Sequence, residues 1–278
     1  MDKQQWFNSG MNPSTSLIDA LGQRHAPDPD ARIVCLVPSI TELLCELGLA
    51  GKLVGRTGFC IHPRDTVAAI PKVGGTKDVN VEKIRKLAPT HVVVNIDENE
   101  KPTVERLAEF VPHVVVTHPN APRDNLGLAR LMGGLFGAEA AAGRWCAAFE
   151  EEYAALRAMP PGPPRTLLYC IWQDPWMTVS NETYIASMLA ELGWRVPVLG
   201  EGERYPRFDW SQALVDGLDA VLLSTEPYRF TEEHADALEK QLGIPVFLVD
   251  GEMMSWYGSR ALEGLRYLRS LRKTIETY

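Results

Sequence analysis

The chain has 278 residues, a formal net charge of −8, and 45% hydrophobic against 23% charged residues. This composition supports a packed core rather than disorder, and its acidic balance excludes nucleic acid as the natural partner, because phosphate contacts need clustered Lys and Arg. The length suits one large domain or two lobes with a core each, and no uninterrupted run of 18 apolar residues is present to cross a membrane.

Residues 1–11 carry no element pattern and are expected to form a disordered arm. They also lack the apolar run of a secretory leader. The five cysteines (Cys35, Cys45, Cys60, Cys146 and Cys170) are odd in number and show no C-x-x-C spacing. Both features favour a reducing, cytoplasmic compartment; a leader removed beforehand would make the compartment periplasmic instead.

The first α/β lobe is assigned to residues 12–122. It opens on a hairpin over 16–25 with its turn at Asp19 to Gly22, then a Pro/Asp-rich spacer. Residues 32–37 (RIVCLV) are almost continuously apolar, as in a strand buried on both faces of a parallel sheet. Ser39 and Glu42 have capping-box spacing, which predicts a helix running to Gly48. A helix over 81–87, a strand over 91–96, a helix over 102–110 and a strand over 114–117 follow. Alternation of this kind gives βαβ units.

Residues 123–159 are rich in Ala, Leu, Glu and Arg and lack Pro. One helix of that length would reach about 55 Å, and it is assigned as the connecting rod. Gly133, Gly134, Gly137 and Gly143 could divide it into two helices in line. Pro160 to Pro164 ends it. The second lobe, 160–278, repeats the theme: strands over 166–171, 220–224 and 246–249, and helices over 184–192, 232–242 and 259–275.

No G-x-G-x-x-G after a strand, no P-loop, no G-x-S-x-G and no H-E-x-x-H occurs. The residues that stand out are aromatic. Trp172 and Trp176 follow one predicted strand, Trp256 and Tyr257 follow another, and Trp210 adds a fifth ring. Ligands of open α/β sheets bind beyond the carboxyl ends of strands, where flat rings suit a large planar guest. Phe59-Cys60-Ile61-His62-Pro63 is a loop in which alternate side chains of an extended chain would face one way, so Cys60 and His62 could share a soft or borderline metal. A structural loop is the competing reading. Asp97 to Glu100 and Thr225-Glu226 are acidic loop tips that could dock a basic partner or could simply be solvated.

These residues resemble a known family. The Asp19 to Arg24 hairpin, Arg32-Ile-Val-Cys-Leu-Val-Pro38-Ser39-Ile-Thr41-Glu42, Leu53-Val-Gly55-Arg56-Thr-Gly58-Phe59-Cys60-Ile-His62-Pro63 and Val73-Gly74-Gly75-Thr76-Lys77-Asp78 are similar, in that order, to the iron-siderophore and cobalamin substrate-binding proteins of ABC importers. The resemblance implies two Rossmann-like lobes with parallel sheets bridged by one long backbone helix, the class III periplasmic-binding-protein arrangement. It implies a monomeric, non-enzymatic protein with no intrinsic cofactor, holding a corrinoid (cobalamin or cobinamide) or a ferric chelate between the lobes. The expected contacts are Phe59, His62 and Arg56 from the first lobe and Trp172, Trp176, Trp210, Trp256 and Tyr257 from the second. An anionic siderophore would instead require Arg56, Arg204 and Arg207 to converge. Glu100 and Glu226 would dock on an ABC permease. The alternative is a metal-cofactor-handling enzyme or chaperone that uses Cys60 and His62.

Overall fold

The computed structural model describes residues 17–200 and 202–278. The expected arm over 1–11 and the first residue of the opening hairpin lie outside them. The rest of the hairpin is present as an antiparallel bridge between Ile18 and Arg24. Asp19 accepts from the amides of Leu21 and Gln23 inside the turn and from Val116 on the neighbouring strand.

The first lobe is a four-stranded, wholly parallel sheet in the order β2-β1-β3-β4. Its strands are β1 (Ile33–Cys35), β2 (Leu53–Arg56), β3 (His91–Asn95) and β4 (His113–Thr117). The Val runs of β3 and β4 suit a pleated sheet covered on both sides. The covering helices are α1 (Pro38–Glu46), α2 (Arg64–Val67), α3 (Val81–Leu87) and α4 (Lys101–Ala108). The expected capping box at Ser39 is not formed. Pro38 occupies the first turn of α1, so the helix begins before Ser39, and no side chain caps it. Strand β2 was not anticipated, because four residues with a central glycine give no alternation to read. Gly55 is required there: an added Cβ would lie 2.9 Å from Leu87 and 3.1 Å from Val34 and Val73.

The stretch 123–159 is not a single rod. It divides into α5 (Asp124–Phe136) and α6 (Glu139–Arg157). Gly137 takes the left-handed conformation, φ 77°, and caps α5. Nor do the two helices run on in line. Cys146 Sγ lies 3.7 Å from the Leu126 carbonyl, and Arg130 pairs with Glu150 at 3.9 Å. Gly133 lies so close to Ala142 that a Cβ would come within 2.5 Å of it. The pair is therefore an antiparallel hairpin, and α6 alone is the connector, about 28 Å long. Its far half is tied to the second lobe, where Tyr153 donates to Glu191, and Glu152 accepts from Arg266 and Arg269.

The second lobe holds β5 (Arg165–Trp172), β6 (Met177–Thr178), β7 (Trp194–Arg195), β8 (Ala220–Ser224) and β9 (Val246–Val249). The order is β6-β5-β8-β9, with β7 also on β5 and only β6 antiparallel. Helices α7 (Tyr184–Ala190), α8 (Gln212–Val215), α9 (Glu232–Leu242), α10 (Gly251–Ser255) and α11 (Ala261–Thr277) complete it. One apolar cluster runs through both lobes, from Val37 and Ile40 through Phe136 and Phe149 to Leu189 and Leu268. Smaller clusters fill the outer face of each sheet. The continuous core makes the junction stiff.

Candidate ligand site

Parallel strands place all their carboxyl ends on one edge of a sheet. In the first lobe that edge carries Ser39 after β1, the 57–63 loop after β2, Ile96 to Asn99 after β3 and His118 to Asn120 after β4. In the second it carries the β5–β6 turn, Glu226 after β8 and, after β9, α10 and the segment 256–260. The two edges confront each other, because side chains from these loops meet across the gap.

They meet in three places. At the β2 end, His62 Nε2 lies 3.9 Å from Glu252 Oε1 and its ring sits edge-on to Trp256 at 6.0 Å. Trp256 donates its indole N–H to Glu226 Oε2 at 3.1 Å, and the Arg260 guanidinium stacks 4.5 Å from the indole ring. Arg260 also pairs with Glu252 of its own lobe and reaches Glu42 of α1 at 2.8 Å. In the middle, Tyr257 donates its phenolic O–H to Glu98 Oε1, and the Gly258 amide donates to Asn125 Oδ1 at 2.6 Å. Burial raises the Glu98 carboxyl to about 7, and the Tyr257 bond only partly opposes it. At the β4 end, Arg204 Nη2 donates to Asp97 Oδ2 and to Asn120 Oδ1, each at 2.7 Å.

The sequence pattern described as periplasmic binding protein matches residues 33–242, three quarters of the chain. The protein belongs to that family. As an ABC-importer substrate-binding protein it binds a solute and is not an enzyme. Its fold is similar to that of the periplasmic vitamin B12 binding protein BtuF of Vibrio cholerae, with TM-score 0.79 and 17% identity over 91% of this chain and 100% of that one. The haem-binding protein BhuT, solved with two haems, gives TM-score 0.75 and 18% identity over 88% and 99%. The periplasmic haem-binding protein HutB of Vibrio cholerae gives 0.69 and 19% over 87% and 99%. No curated protein sequence matches. The family is typically periplasmic, which runs against the cytoplasmic expectation, although all five cysteines are free. No helix among the described residues is long and apolar enough to cross a membrane.

In this binding protein the aromatic candidates divide. Phe59 is 63% exposed and Trp172 39% exposed, at the carboxyl ends of β2 and β5. Ile61 on the β2 loop, Ile96 just after β3 and Tyr205 in the segment between β7 and α8, none of them singled out in the sequence, are also exposed. Trp256 and Tyr257 lie in the gap but are already engaged. Trp176 and Trp210 are not free cleft faces: they pack at 5.4 Å on each other, and Trp176 stacks at 5.9 Å on Phe230. Their spacing after a strand is the same for a rim and for a wall, so sequence could not separate the two.

Arg56 is buried and spends its guanidinium on the carbonyls of Val67 and Thr57, so it braces the β2 loop and does not converge with Arg204 and Arg207. Cys60 and His62 do not share a metal site. The chain turns at Gly58-Phe59 instead of extending. This buries the Cys60 thiol against Thr41 and Thr57 while His62 faces Trp256. Burial also raises the Cys60 thiol pKa, and no group of three His, Cys, Asp or Glu among the described residues is placed for a metal. Glu100 is exposed at the head of α4, whereas Glu226 is half-buried on Trp256. A concavity of about 1000 Å³ lies outside the gap, between the opening hairpin, β4 and the α5–α6 pair. Asn125, Glu252 and Arg260 were not singled out in the sequence. The pairings of Asp97 with Arg204, Asn125 with Gly258 and Glu42 with Arg260 left no signal there, because each joins residues far apart along the chain.

Proposed function

We propose that the protein reversibly captures a corrinoid in the gap between its lobes and delivers it to an ABC permease. The observation that carries the choice of ligand is the charge of the gap. Glu42, Asp97, Glu226 and Glu252 stand around it, Glu98 beside them is held partly protonated by burial, and the two arginines reaching in, Arg204 and Arg260, are each already paired with a carboxylate. The propionates of haem, or an anionic siderophore, would meet uncompensated like charge. A corrinoid presents neutral carboxamides around its rim, whose N–H groups suit carboxylate and amide acceptors. Its flat face suits Phe59 and Trp172.

The resemblance to a vitamin B12 binding protein supports this reading, and the haem-binding neighbours define its rival. His62 is the imidazole available to a haem iron in the gap. Glu100 is the candidate for meeting a basic permease residue in the first lobe. Glu226 could do so in the second only by releasing Trp256.

Calorimetric titration of the purified protein with cyanocobalamin, dicyanocobinamide, haemin and a ferric siderophore tests the proposal. One-to-one binding of a corrinoid, tighter than that of haemin, is the expected result. Heat from haemin alone, or from none of the four, overturns it.

A further inference from the structure

Of the bonds that join the lobes, those at the centre are built to last. Tyr257, Asn125 and Gly258 are buried, and behind them Asn125 donates its Nδ2 amide to the Tyr184 hydroxyl oxygen at 3.0 Å. Separating them would strand polar groups in an apolar junction. The bond at the β4 end differs. The side chains of Arg204 and Asp97 are 25% and 22% exposed, so water can solvate both when they part. The Arg204 Nε is buried without an acceptor, which leaves the joined state incompletely satisfied.

Its setting explains how one side chain can act alone. The backbone around Arg204 belongs firmly to the second lobe: its carbonyl accepts from Ser180, and the Pro206 carbonyl accepts from Thr178 of β6. The guanidinium spans the two lobes. Through one nitrogen it joins the loops after β3 and β4, through Asp97 and Asn120, while its other terminal nitrogen stays on the Glu182 carbonyl at 2.6 Å. Tyr205 adds an O–H directed at the same Asp97 oxygen at 3.4 Å. The planar fork of arginine can serve these three acceptors at once, and a lysine ammonium cannot match that geometry.

We infer that Arg204 is a detachable tie between the lobes, and that solute enters and leaves by releasing it from Asp97 and Asn120. The role in solute exchange rests on the proposed function; the tie itself does not. Residues 202–207 are held to β6 in either state, so releasing the tie loosens the lobes at the β4 end while α6 and the Tyr257 junction stay in place.

Hydrogen exchange of the ligand-free protein tests the tie. Arg204→Ala should raise exchange at the amides of 95–99 and 118–121 at least about tenfold, with α6 unchanged. Asp97→Asn, altered on the other lobe, should reproduce the pattern, and Arg204→Lys should fall between. Unchanged exchange in both Arg204→Ala and Asp97→Asn overturns the tie, as does an equal rise throughout α6, which would mean general unfolding. With cyanocobalamin in stopped-flow fluorescence, the association and dissociation rates of Arg204→Ala should both rise at least about fivefold. Raised exchange with unaltered rates overturns the role in exchange of solute. Failure of cyanocobalamin to bind the wild type overturns the choice of ligand, and the exchange result still decides the tie.

Discussion

Tyr257 of the second lobe donates its phenolic proton to Glu98 of the first, and the two residues sit 159 positions apart in sequence. The acceptor is a carboxyl group that burial has raised from 4.5 to about 7. Between those values the folded protein binds the proton that the unfolded chain has released, so the Glu98 contribution to stability is full below about pH 4.5 and is lost as pH rises toward 7. The shift corresponds to at most about 3 kcal/mol. Glu98→Gln keeps an acceptor for Tyr257 and removes the titration. The variant should match the wild type near pH 4.5 and exceed it at pH 8 in urea denaturation. A difference that does not vary with pH would refute this account.

His91 titrates with the opposite sign. It stacks on His113 at 4.6 Å, and burial lowers its pKa from 6.5 to about 4, with His113 adding to the effect. Its neutral form stabilises the fold above about pH 6.5, and the contribution is lost as pH falls toward 4. Glu98 and His91 therefore offset each other between about pH 4.5 and 6.5. Across that window Glu98→Gln should gain stability with rising pH relative to wild type, and His91→Phe, whose ring can meet Phe136, should lose it. Parallel profiles for the two variants would show that these groups do not set the slope.

Trp172 and Trp176 lie four residues apart and should respond differently to truncation. Trp172 is exposed at the rim and leans edge-on against Tyr228 at 5.5 Å, so Trp172→Ala should weaken corrinoid binding by roughly 10- to 100-fold with little change in stability. Trp176 is packed between Phe230 and Trp210. Its truncation should cost about 3 kcal/mol in denaturation. Equal loss of stability in both variants would place Trp172 in the wall as well.

What the sequence made legible was whatever depends on near neighbours. The Val runs of β3 and β4 and the apolar run of β1 are periodic signals, and the parallel α/β class follows from their alternation with helices. The split of 123–159 was visible as glycines. Its direction was not, because whether α6 continues α5 or doubles back on it turns on the contact of Gly133 with Ala142, which no period encodes. Cys60 and His62 failed for a related reason. Facing the same way assumes an extended chain, and a turn at Gly58-Phe59 reverses the assumption. The site's charged pairs were illegible for the same cause: Glu42 meets Arg260 across 218 residues and Asp97 meets Arg204 across 107.

Gly258 packs closely against α1 of the opposite lobe, and it offers a direct test of the junction. Its φ is 83°, and an added Cβ would meet the Ser39 carbonyl at 3.1 Å and Leu43 Cβ at 3.3 Å, both on α1 of the opposite lobe. Any side chain there is strained twice, by the left-handed backbone and by contact with a helix that cannot shift without disturbing the core around Ile40 and Leu44. Its amide also donates to Asn125, so a displaced backbone would leave that buried amide group unpaired. Gly258→Ala should therefore cost about 1–3 kcal/mol in urea denaturation, with the slope unchanged because the same surface is exposed on unfolding. Gly243→Ala is the control. Gly243 is also left-handed, at φ 70°, but nothing lies within 4 Å of its Cβ position, so only the backbone component applies. If the two substitutions cost the same, the lobes are not in close contact at Gly258.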